Sequence, residues 1–377
     1  MFALRTKRKM RKQTVKMVRK VTHRMAELFC GPGGLALGAR LSNVRSKLNE
    51  YAIESVWAND IDENACRTYQ HNLHPDKPKK VVCGSVESID LQAVPKFDGL
   101  AFGFPCNDFS MVGKQKGIHG KFGPLYRFGV EMLNIHTPKW FLAENVTGLS
   151  NANNGATFAK IIGELESCGP VGYKLNVHEY RFEQYGVPQQ RHRIIIVGIR
   201  SDLNKTFKVP APLCLSKNDY VTARQAICIP PIASSVSNQE LTRQSTQVVE
   251  RLRHIKPGEN AWTADLPDHL KLNVKGARLS NIYRRLDPNQ PAYTVTGSGG
   301  GGTHIYHWRE NRALTNRERA RLQSFPDYYE FLGSKEDVRR QIGMAVPPMG
   351  AKVIFEALLK TFAGIPYECI DSNFSVE

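Results

Sequence analysis

A cysteine, a glutamate and an arginine are the residues of this sequence that could share one reaction. Cys106 follows Pro105 after the apolar run FDGLAFGF, and a cysteine held by a rigid proline beyond a buried strand is a candidate thiolate nucleophile. Glu144 follows the apolar run KWFLA and could donate a proton to a polarised substrate. Arg193 precedes the run IIIVG and could stabilise developing negative charge. The alternatives are an inert packed cysteine, an acid at a strand end, and salt-bridged arginines at a sheet edge.

A glycine-rich turn and an acid indicate a second, ligand-binding function. Gly31, Gly33 and Gly34 lie in ELFCGPGGLALG, between a predicted strand and a predicted helix. Glycines there let the backbone approach a ligand that faces the helix N-terminus, although such a turn can also be only a turn. The spacing is not GxGxxG, so a dinucleotide is not the first expectation. Asp60 ends the next strand and could accept hydrogen bonds from a ribose diol, or it could be a solvated acid.

The elements that must position these residues alternate between strands and helices over residues 25–200. MAELF, ESVWAND, VVCGSV, FDGLAFGF, KWFLAEN, YKLNVHEY and RHRIIIVGIR read as strands, with helices expected at about 35–47, 125–136 and 156–167. Such alternation predicts an α/β fold with a largely parallel sheet and helices on both faces. Ligands bind such sheets at the carboxyl ends of the strands, where every residue singled out above is expected. Gln189, Arg191 and Arg193 alternate at period two, which predicts one shared strand face.

The rest of the chain divides into three further regions. Residues 1–24 form a basic N-terminal extension, which either adds phosphate affinity or has no role. Residues 201–310 are richer in Pro, Gly, Asn and Ser and predict a smaller, irregular domain. Residues 311–377 contain helical stretches, the last of which is expected to return to the large domain of residues 25–200.

Composition narrows the class of protein. The net charge of +17 suggests a polyanionic partner, but ten basic residues lie in the extension, so the remainder carries 42 basic against 35 acidic residues, or +7. The eight cysteines form no CxxC pair, which argues against structural zinc and a disulfide framework and favours a reducing cytoplasm. No apolar run approaches the length of a membrane span.

Taken in order, ELFCGPGGLALG, FGFPCNDFS, AENV, QQRHRIIIVG and RALTNRERARLQSFPDYYEF resemble the segments of the cytosine-C5 DNA methyltransferases. The resemblance covers nearly the whole chain. It implies a Rossmann-like, class I S-adenosylmethionine-dependent methyltransferase domain with a smaller irregular target-recognition domain. It also implies that Cys106 adds to cytosine C6, that Glu144 supports N3, and that Arg193 binds O2. Arg191 would be structural or lie near the DNA backbone, and Asn145 would hold the loop.

The resemblance also implies residues for S-adenosyl-L-methionine. Two positions depart from the family pattern: Ser85 stands where an Asp usually binds the adenine amine, and Met344 stands where an Asn is usual. A third, milder departure is Asn107 in place of Gln. The implied cofactor residues are Phe29, Gly31, Gly33, Gly34, Asp60, Ile61, Ser85, Phe104, Pro105, Met344 and Ala345.

Double-stranded DNA is the partner that the resemblance implies. The target cytosine must leave the helix for its C6 face to be reached. In RALTNRERARLQSFPDYYEF, residues 312–331, ion pairs of Arg317, Glu318 and Arg321 would organise the small domain. The expected DNA-binding residues are Gln189, Ser110, Thr294, Thr296, Gly299 and Gly300.

The leading hypothesis is therefore a DNA (cytosine-5-)-methyltransferase of a restriction-modification system, a cytoplasmic monomer that needs no metal and has a cognate endonuclease as its genetic partner. One alternative is an RNA cytosine-5 methyltransferase. The small domain lacks the Cys-Phe-Thr signature typical of such enzymes, and its length favours DNA. The other alternative is a catalytically inactive DNA-binding regulator, which the basic extension and the two altered cofactor positions support.

Overall fold

The computed structural model describes residues 18–104, 125–149, 155–273 and 280–374. A mixed sheet, with strands in the order β2-β3-β1-β5-β6-β8-β7 and with β4 paired to β3, forms its centre. The strands are β1 (Arg19–Leu28), β2 (Asn43–Arg45), β3 (Asn49–Asp60), β4 (Val81–Cys83), β5 (Gly99–Gly103), β6 (Trp140–Val146), β7 (Tyr173–Arg181) and β8 (His192–Arg200). A separate short ribbon pairs β9 (Val209–Pro210) with β10 (Cys369–Ile370).

Strand direction divides the sheet into two parts. Strands β4, β3, β1, β5 and β6 run parallel to one another, so their carboxyl ends share one edge, whereas the short strand β2 is antiparallel to β3. Strand β8 is antiparallel to both β6 and β7, and its first residues therefore lie at that same edge. The predicted α/β class with a largely parallel sheet is confirmed.

Helices cover both faces of the sheet. The first face carries α1 (Gly34–Leu41) and α9 (Pro348–Ala363), whose apolar side chains share one core with the sheet. The second face carries α3 (Tyr126–His136) and α4 (Ala156–Glu166), which bury leucine and isoleucine side chains against it. Helix α2 (Glu63–Leu73) connects β3 to β4, and the Asp62 carboxylate caps it by accepting from the Ala65 amide at 2.9 Å.

Two sequence-based boundaries need correction in this region. The helix expected at 35–47 ends at Leu41, because the chain turns there into β2 and then β3. The predicted N-terminal extension overlaps β1, which begins at Arg19 in register with Asn49. The last residues of that extension are therefore part of the sheet.

The second part of the chain has its own cores. One core lies within residues 252–313, and another joins residues 223–305 to residues 314–345. The short helices here are α5 (Ala223–Cys228), α6 (Thr246–Arg253), α7 (Asn316–Leu322) and α8 (Lys335–Met344). Residues 314–345 thus pack mainly with the smaller domain, and within 311–377 it is α9 that returns to the sheet, as predicted for the last helical stretch.

The stretch Lys335–Ala363 is long and apolar enough for a membrane span by length and composition alone. It is nevertheless interrupted between α8 and α9, and 72% of its most apolar window is buried inside the protein. Its apolar side chains belong to the cores described above, so the stretch is accounted for as two core helices.

Candidate active site

Glu144 and Arg193 form an ion pair at the carboxyl edge of the sheet. Glu144 lies near the end of β6 and Arg193 near the start of β8, where Arg193 is the register partner of Val146. The Arg193 Nε lies 2.8 Å from the Glu144 Oε1, and each side chain is 14% exposed. The two residues that the sequence assigned to one reaction are thus brought together, because adjacent antiparallel strands carry them.

Neighbouring residues hold this pair in position. Gly103 is the register partner of Glu144 across β5 and β6, and a Cβ atom at Gly103 would lie 3.1 Å from the Glu144 Oε2. The Asn145 side chain donates to the Phe104 carbonyl at 3.3 Å and accepts from the Val146 amide at 2.8 Å. Asn145 therefore ties the end of β6 to the residue after β5, in agreement with its predicted loop-holding role.

Three predicted site residues, Pro105, Cys106 and Ser110, lie outside the described residues. Phe104, which directly precedes them, is buried between Phe102 and Tyr126. The chain thus leaves β5 at Gly103, beside Glu144 and three residues before Cys106 in the sequence.

The glycine turn after β1 contains two kinds of glycine. Gly31 has a φ of +51°, and a Cβ there would meet no atom within 4 Å, so this backbone faces open space. Gly33 (φ +92°) and Gly34 are required by packing, since a Cβ would lie 2.7 Å from the Leu73 side chain and 2.1 Å from the Val346 carbonyl, respectively. Only Gly31 of the three therefore has open space where its side chain would be.

The Asp60 carboxylate lies beside this turn and is held by backbone amides. Its Oδ2 accepts from the Gly31 amide at 2.8 Å and its Oδ1 accepts from the Asp62 amide at 2.9 Å. Burial raises the pKa of Asp60 above its ordinary value, an effect that these two amide hydrogen bonds oppose. Beside it, Ile61 is 74% exposed, an unusual position for a large aliphatic side chain and one suited to packing on a flat ligand.

The same edge continues to the linker between α8 and α9. Met344 is 70% exposed and Ala345 is buried. Arg340, one turn before Met344, reaches Asp62 at 2.6 Å and so connects α8 to the residue after Ile61. Phe29 (φ +55°) and Ser85 are partly exposed at the ends of their strands.

These positions fit S-adenosylmethionine. The open glycine backbone can approach the ligand, the partly buried Asp60 carboxylate can accept from a ribose diol, and Ile61 with Met344 supplies exposed apolar surface. No group of three His, Cys, Asp or Glu side chains suited to a metal ion occurs among the described residues.

Arg191 connects three parts of the molecule. Its Nη1 donates to the Val295 carbonyl and its Nη2 to the Gly343 carbonyl, both at 3.1 Å, and its side chain is almost fully buried. A Cβ at Gly343 would lie 1.9 Å from the Gly297 amide nitrogen, so the two backbones touch directly. Of the two roles considered for Arg191, the described contacts match the structural one.

Gln189 differs from its predicted DNA-binding role. It is fully buried, and its amide donates to the Leu322 carbonyl at 3.0 Å and to Gln323 Oε1 at 2.6 Å. It also accepts from the Val295 amide at 2.9 Å. The expectation of one shared strand face was wrong as well, because β8 begins at His192 and contains only Arg193 of the three residues. Gln189 is therefore a structural residue between the domains in this conformation.

The other described residues that were predicted to bind DNA lie within the glycine-rich segment, residues 299–302, or a few residues before it. Thr294 is partly exposed and donates to the Gln190 carbonyl at 2.7 Å, whereas Thr296 is exposed beside Ser298. Gly299 packs against Arg339, while Gly300 is exposed. Their role in DNA binding stays a prediction.

Residues 312–331, called the RALT segment here after their first four residues, were expected to contain ion pairs of Arg317, Glu318 and Arg321. Two of these three residues form one. Glu318 pairs with Arg312 at 2.8 Å, and Arg321 pairs with Asp327 at 2.5 Å. Arg317 instead donates to backbone carbonyls, including Ser237 and Tyr329, and no carboxylate of the described residues lies within salt-bridge distance of it.

Three residues of this region were not anticipated. Gly103 abuts Glu144, Arg340 reaches Asp62, and the buried Tyr329 hydroxyl donates to the Pro32 carbonyl at 2.5 Å. Tyr329 lies inside the RALT segment, so the resemblance of that segment to the family was a sequence signal that could have pointed to it. Nothing local in the sequence distinguishes Gly103 or Arg340.

Comparisons with known proteins identify the family. The family model described as C-5 cytosine-specific DNA methylase matches residues 23–360. The type II methyltransferase M.BbvI of Brevibacillus brevis is 57% identical over 360 residues, covering 94% of this chain and 95% of that protein. The type II methyltransferase M.NgoFVII of Neisseria gonorrhoeae is 41% identical, covering 92% and 89% of the two chains.

The fold has solved counterparts. The crystal structure of a DNA modification methyltransferase encoded within a prophage of Escherichia coli superposes with a TM-score of 0.68 at 23% identity, covering 90% of this chain and 99% of that one. This likeness confirms the predicted class I methyltransferase fold. Together with the family match over most of the chain, it shows that the protein belongs to the family of C-5 cytosine-specific DNA methylases.

Proposed function

We propose that this family member transfers a methyl group from S-adenosyl-L-methionine to C5 of a cytosine in a short duplex DNA sequence. The observation that carries the proposal is the Glu144–Arg193 pair at the carboxyl edge of the sheet, where Glu144 is the register partner of Gly103, three residues before Cys106 in the sequence. A carboxyl group and a guanidinium in contact can together hold a ring that presents N3 and O2 side by side.

The Cys106 thiolate would add to C6 of the cytosine, which must first leave the duplex. The resulting negative charge spreads to N3 and O2, where Glu144 would donate a hydrogen bond or proton and Arg193 would donate through its guanidinium. When bound, S-adenosylmethionine supplies an electrophilic methyl group, which the enamine C5 can accept. With S-adenosylhomocysteine left as the other product, a base removes the C5 proton, the C6–S bond breaks to release the Cys106 thiolate, and any proton taken up at N3 returns to Glu144.

The cofactor would lie along the open edge beside the glycine turn. Asp60 would accept from the ribose hydroxyls, and Ile61 and Met344 would pack on the adenine. Ser85, at the position where the family usually has a carboxylate, would offer a hydroxyl to the adenine amine. The backbone amides of Gly31 and Asp62 donate to the Asp60 carboxylate and hold it in place before the cofactor binds.

The relatives named type II methyltransferases support a restriction-modification role. The modified site would then be protected from a cognate endonuclease. We further propose that the enzyme acts in the cytoplasm as a monomer. One chain carries both the cofactor site beside the glycine turn and the Glu144–Arg193 pair that would bind the target cytosine.

Bisulfite sequencing of genomic DNA tests the proposal. The chain is expressed in a methylation-deficient bacterium beside Cys106→Ser and Glu144→Gln variants. We expect protected cytosines at one short motif with the wild-type chain and none with Cys106→Ser. Uniform conversion with a well-expressed wild-type chain would contradict DNA methylation. Methylated RNA in the same cells would favour the RNA alternative, and sequence-specific DNA binding without methylation would favour the inactive regulator.

A further inference from the structure

Three basic side chains meet in a buried cluster below the glycine-rich segment. Arg319 comes from α7, Arg339 from α8, and His304 from the chain just after the glycines 299–302. All three are buried, and only 1% of the Arg319 surface is exposed. The Arg319 Nη2 donates to the His304 Nδ1 at 3.5 Å. Two cations from neighbouring helices are thus placed in one enclosed site.

This cluster is poorly compensated. The Nε and Nη1 of Arg319 and the Nε of Arg339 are buried, and no acceptor among the described residues lies within hydrogen-bonding distance of these atoms. Among the described residues one carboxylate, that of Glu336, lies within salt-bridge distance of the cluster, at 3.8 Å from the Arg339 Nη1, and its side chain is mostly exposed. The Glu318 carboxylate acts on Arg319 electrostatically without forming an ion pair with it. Buried charge without a partner lowers the free energy of unfolding, so this arrangement needs an explanation.

The pKa values of Arg319 and His304 indicate that the cluster carries an excess of positive charge at neutral pH. Burial, together with the charge of Arg339, lowers the pKa of Arg319 to about 10, so its guanidinium stays charged at neutral pH. Burial and the two arginines lower the pKa of His304 to about 4, so this ring is neutral at pH 7. The cluster therefore carries two positive charges and one neutral donor.

Other buried arginines of the smaller domain are well provided with acceptors. Arg285 donates to the carbonyls of Leu252, His307 and Glu310, and the buried Arg251 donates to the Leu270 carbonyl at 2.8 Å. Unused donors at Arg319 are therefore a local feature and not a general property of this domain.

The glycine-rich segment covers the cluster with backbone only. A Cβ at Gly299 would lie 3.0 Å from the Arg339 Nε and 3.3 Å from the His304 Nδ1, so any other residue there would push these side chains aside by a few tenths of an ångström. The next residue, Gly300, is exposed and would have open space around a Cβ. Displacing this segment would give a ligand direct access to both guanidinium groups.

We propose that Arg319, Arg339 and His304 form a binding site for a phosphate oxyanion, which a backbone phosphate of the bound DNA occupies when the segment 299–302 moves aside. Guanidinium donors fit phosphate in a two-bond geometry, and such contacts fix the protein on DNA without reading its sequence. The identification of DNA as the source rests on the proposed function, whereas inorganic phosphate offers the same chemistry.

The test replaces the charge at Arg319 without removing its bulk. Arg319→Met is compared with the wild-type protein and with Glu336→Gln, which removes the one nearby carboxylate charge instead. DNA affinity is measured by fluorescence anisotropy over a range of salt concentrations, with a duplex carrying the site found by bisulfite sequencing. Stability is measured by urea unfolding, in chloride and in inorganic phosphate at matched ionic strength.

We expect Arg319→Met to bind DNA about tenfold or more weakly, with the slope of log K against log salt reduced by about one. It should be as stable as the wild-type protein or more stable, because an uncompensated buried charge is lost. Glu336→Gln should bind at least as tightly as the wild-type protein. Stabilisation of the wild-type protein by phosphate, absent in Arg319→Met, would show that free phosphate also occupies the site.

Wild-type DNA affinity and salt slope in Arg319→Met, with no phosphate effect, would overturn the site. A large loss of stability in Arg319→Met would overturn it as well, since the guanidinium would then be a satisfied structural group. If the wild-type protein bound no DNA, the proposed function would fail, and the phosphate arm would still decide whether the cluster binds an oxyanion.

Discussion

The Arg193 guanidinium contacts the Glu144 carboxylate through a 2.8 Å bond between Nε and Oε1, although the two residues are far apart in the sequence. Each side chain is largely withdrawn from water, so each depends on the other for compensation of its charge. A substrate ring that enters this site would have to replace part of the contact between Glu144 and Arg193 with contacts to its own polar atoms. The pair therefore acts as one unit, and substitutions in it should not be additive.

Glu144→Gln should lower the rate of methyl transfer by about 10²- to 10⁴-fold, because an amide cannot donate a carboxyl proton. Arg193→Lys should cause a loss of similar size, since one ammonium replaces a planar guanidinium. The double variant should be little worse than the slower single variant. Single-turnover rates on the duplex substrate measure this, and additive losses would mean that the residues work independently.

Gly103→Ala should impair catalysis without damaging the fold. The new methyl group would lie 3.1 Å from the Glu144 Oε2 and push the carboxylate aside by a few tenths of an ångström. We expect the rate of methyl transfer to fall by about tenfold. The control is Gly163→Ala in α4, where a Cβ meets no atom within 4 Å; it should leave the rate unchanged and raise the free energy of unfolding by roughly 0.5–1 kcal/mol. Equal rates for both variants would contradict this.

Asp60→Asn should weaken cofactor binding by about tenfold or more, because an amide replaces a carboxylate that accepts from two backbone amides and that we propose accepts from the ribose. Isothermal titration with S-adenosylhomocysteine measures the change. The matched control is Asp98→Asn: this carboxylate also accepts from a backbone amide, that of Arg24 at 2.8 Å, but it lies at the opposite end of the sheet. Unchanged affinity in Asp60→Asn would place the ribose elsewhere.

Glu27 should make stability depend on pH. Burial raises its pKa from an ordinary value near 4.5 to about 8, against a hydrogen bond from the Tyr69 hydroxyl that favours the ionised form. Between these pH values the folded state keeps a proton that the unfolded state has lost. The free energy of unfolding should therefore fall as the pH rises, with a slope of at most about 1.4 kcal/mol per pH unit from this group.

Glu27→Gln resembles the protonated form and should lack this contribution. The difference between the wild-type protein and the variant, measured by urea unfolding at pH 5, 6, 7 and 8, should shift steadily in favour of the variant. Titrating groups that do not interact with Glu27 cancel in that difference. A constant difference over the range would mean that Glu27 is ionised throughout.

Local pattern was sufficient for much of the fold. The helices α3 and α4 and the strands β7 and β8 begin and end close to where their apolar periodicity predicts. The placement of β8 between β6 and β7 was not predictable, because the order of strands depends on pairing between distant segments. The early end of α1 was missed because the edge strand β2 competes for residues that could also be helical.

The candidate active site, like the fold, could be predicted only in part from local sequence. Glu144 and Arg193 were anticipated from their motifs, but their contact follows from antiparallel pairing that a motif does not encode. The alternation of Gln189 with Arg191 and Arg193 suggested a strand face. Hydrogen bonds to Val295 and Gln323 instead draw Gln189 into the core. Burial by remote segments is the information that a local sequence window lacks.

The antiparallel strand β8 also affects how the enzyme could be re-engineered. Because sheet register fixes Val146 opposite Arg193, the pair does not depend on the length of the chain that connects β6 to β8. Each doubling of a flexible connection costs only about 0.6 kcal/mol in closure entropy. A reporter domain or an affinity handle placed in the turn between α4 and β7 would thus lengthen the polypeptide while the carboxylate and the guanidinium keep their spacing. That turn is an entry point for building on this enzyme.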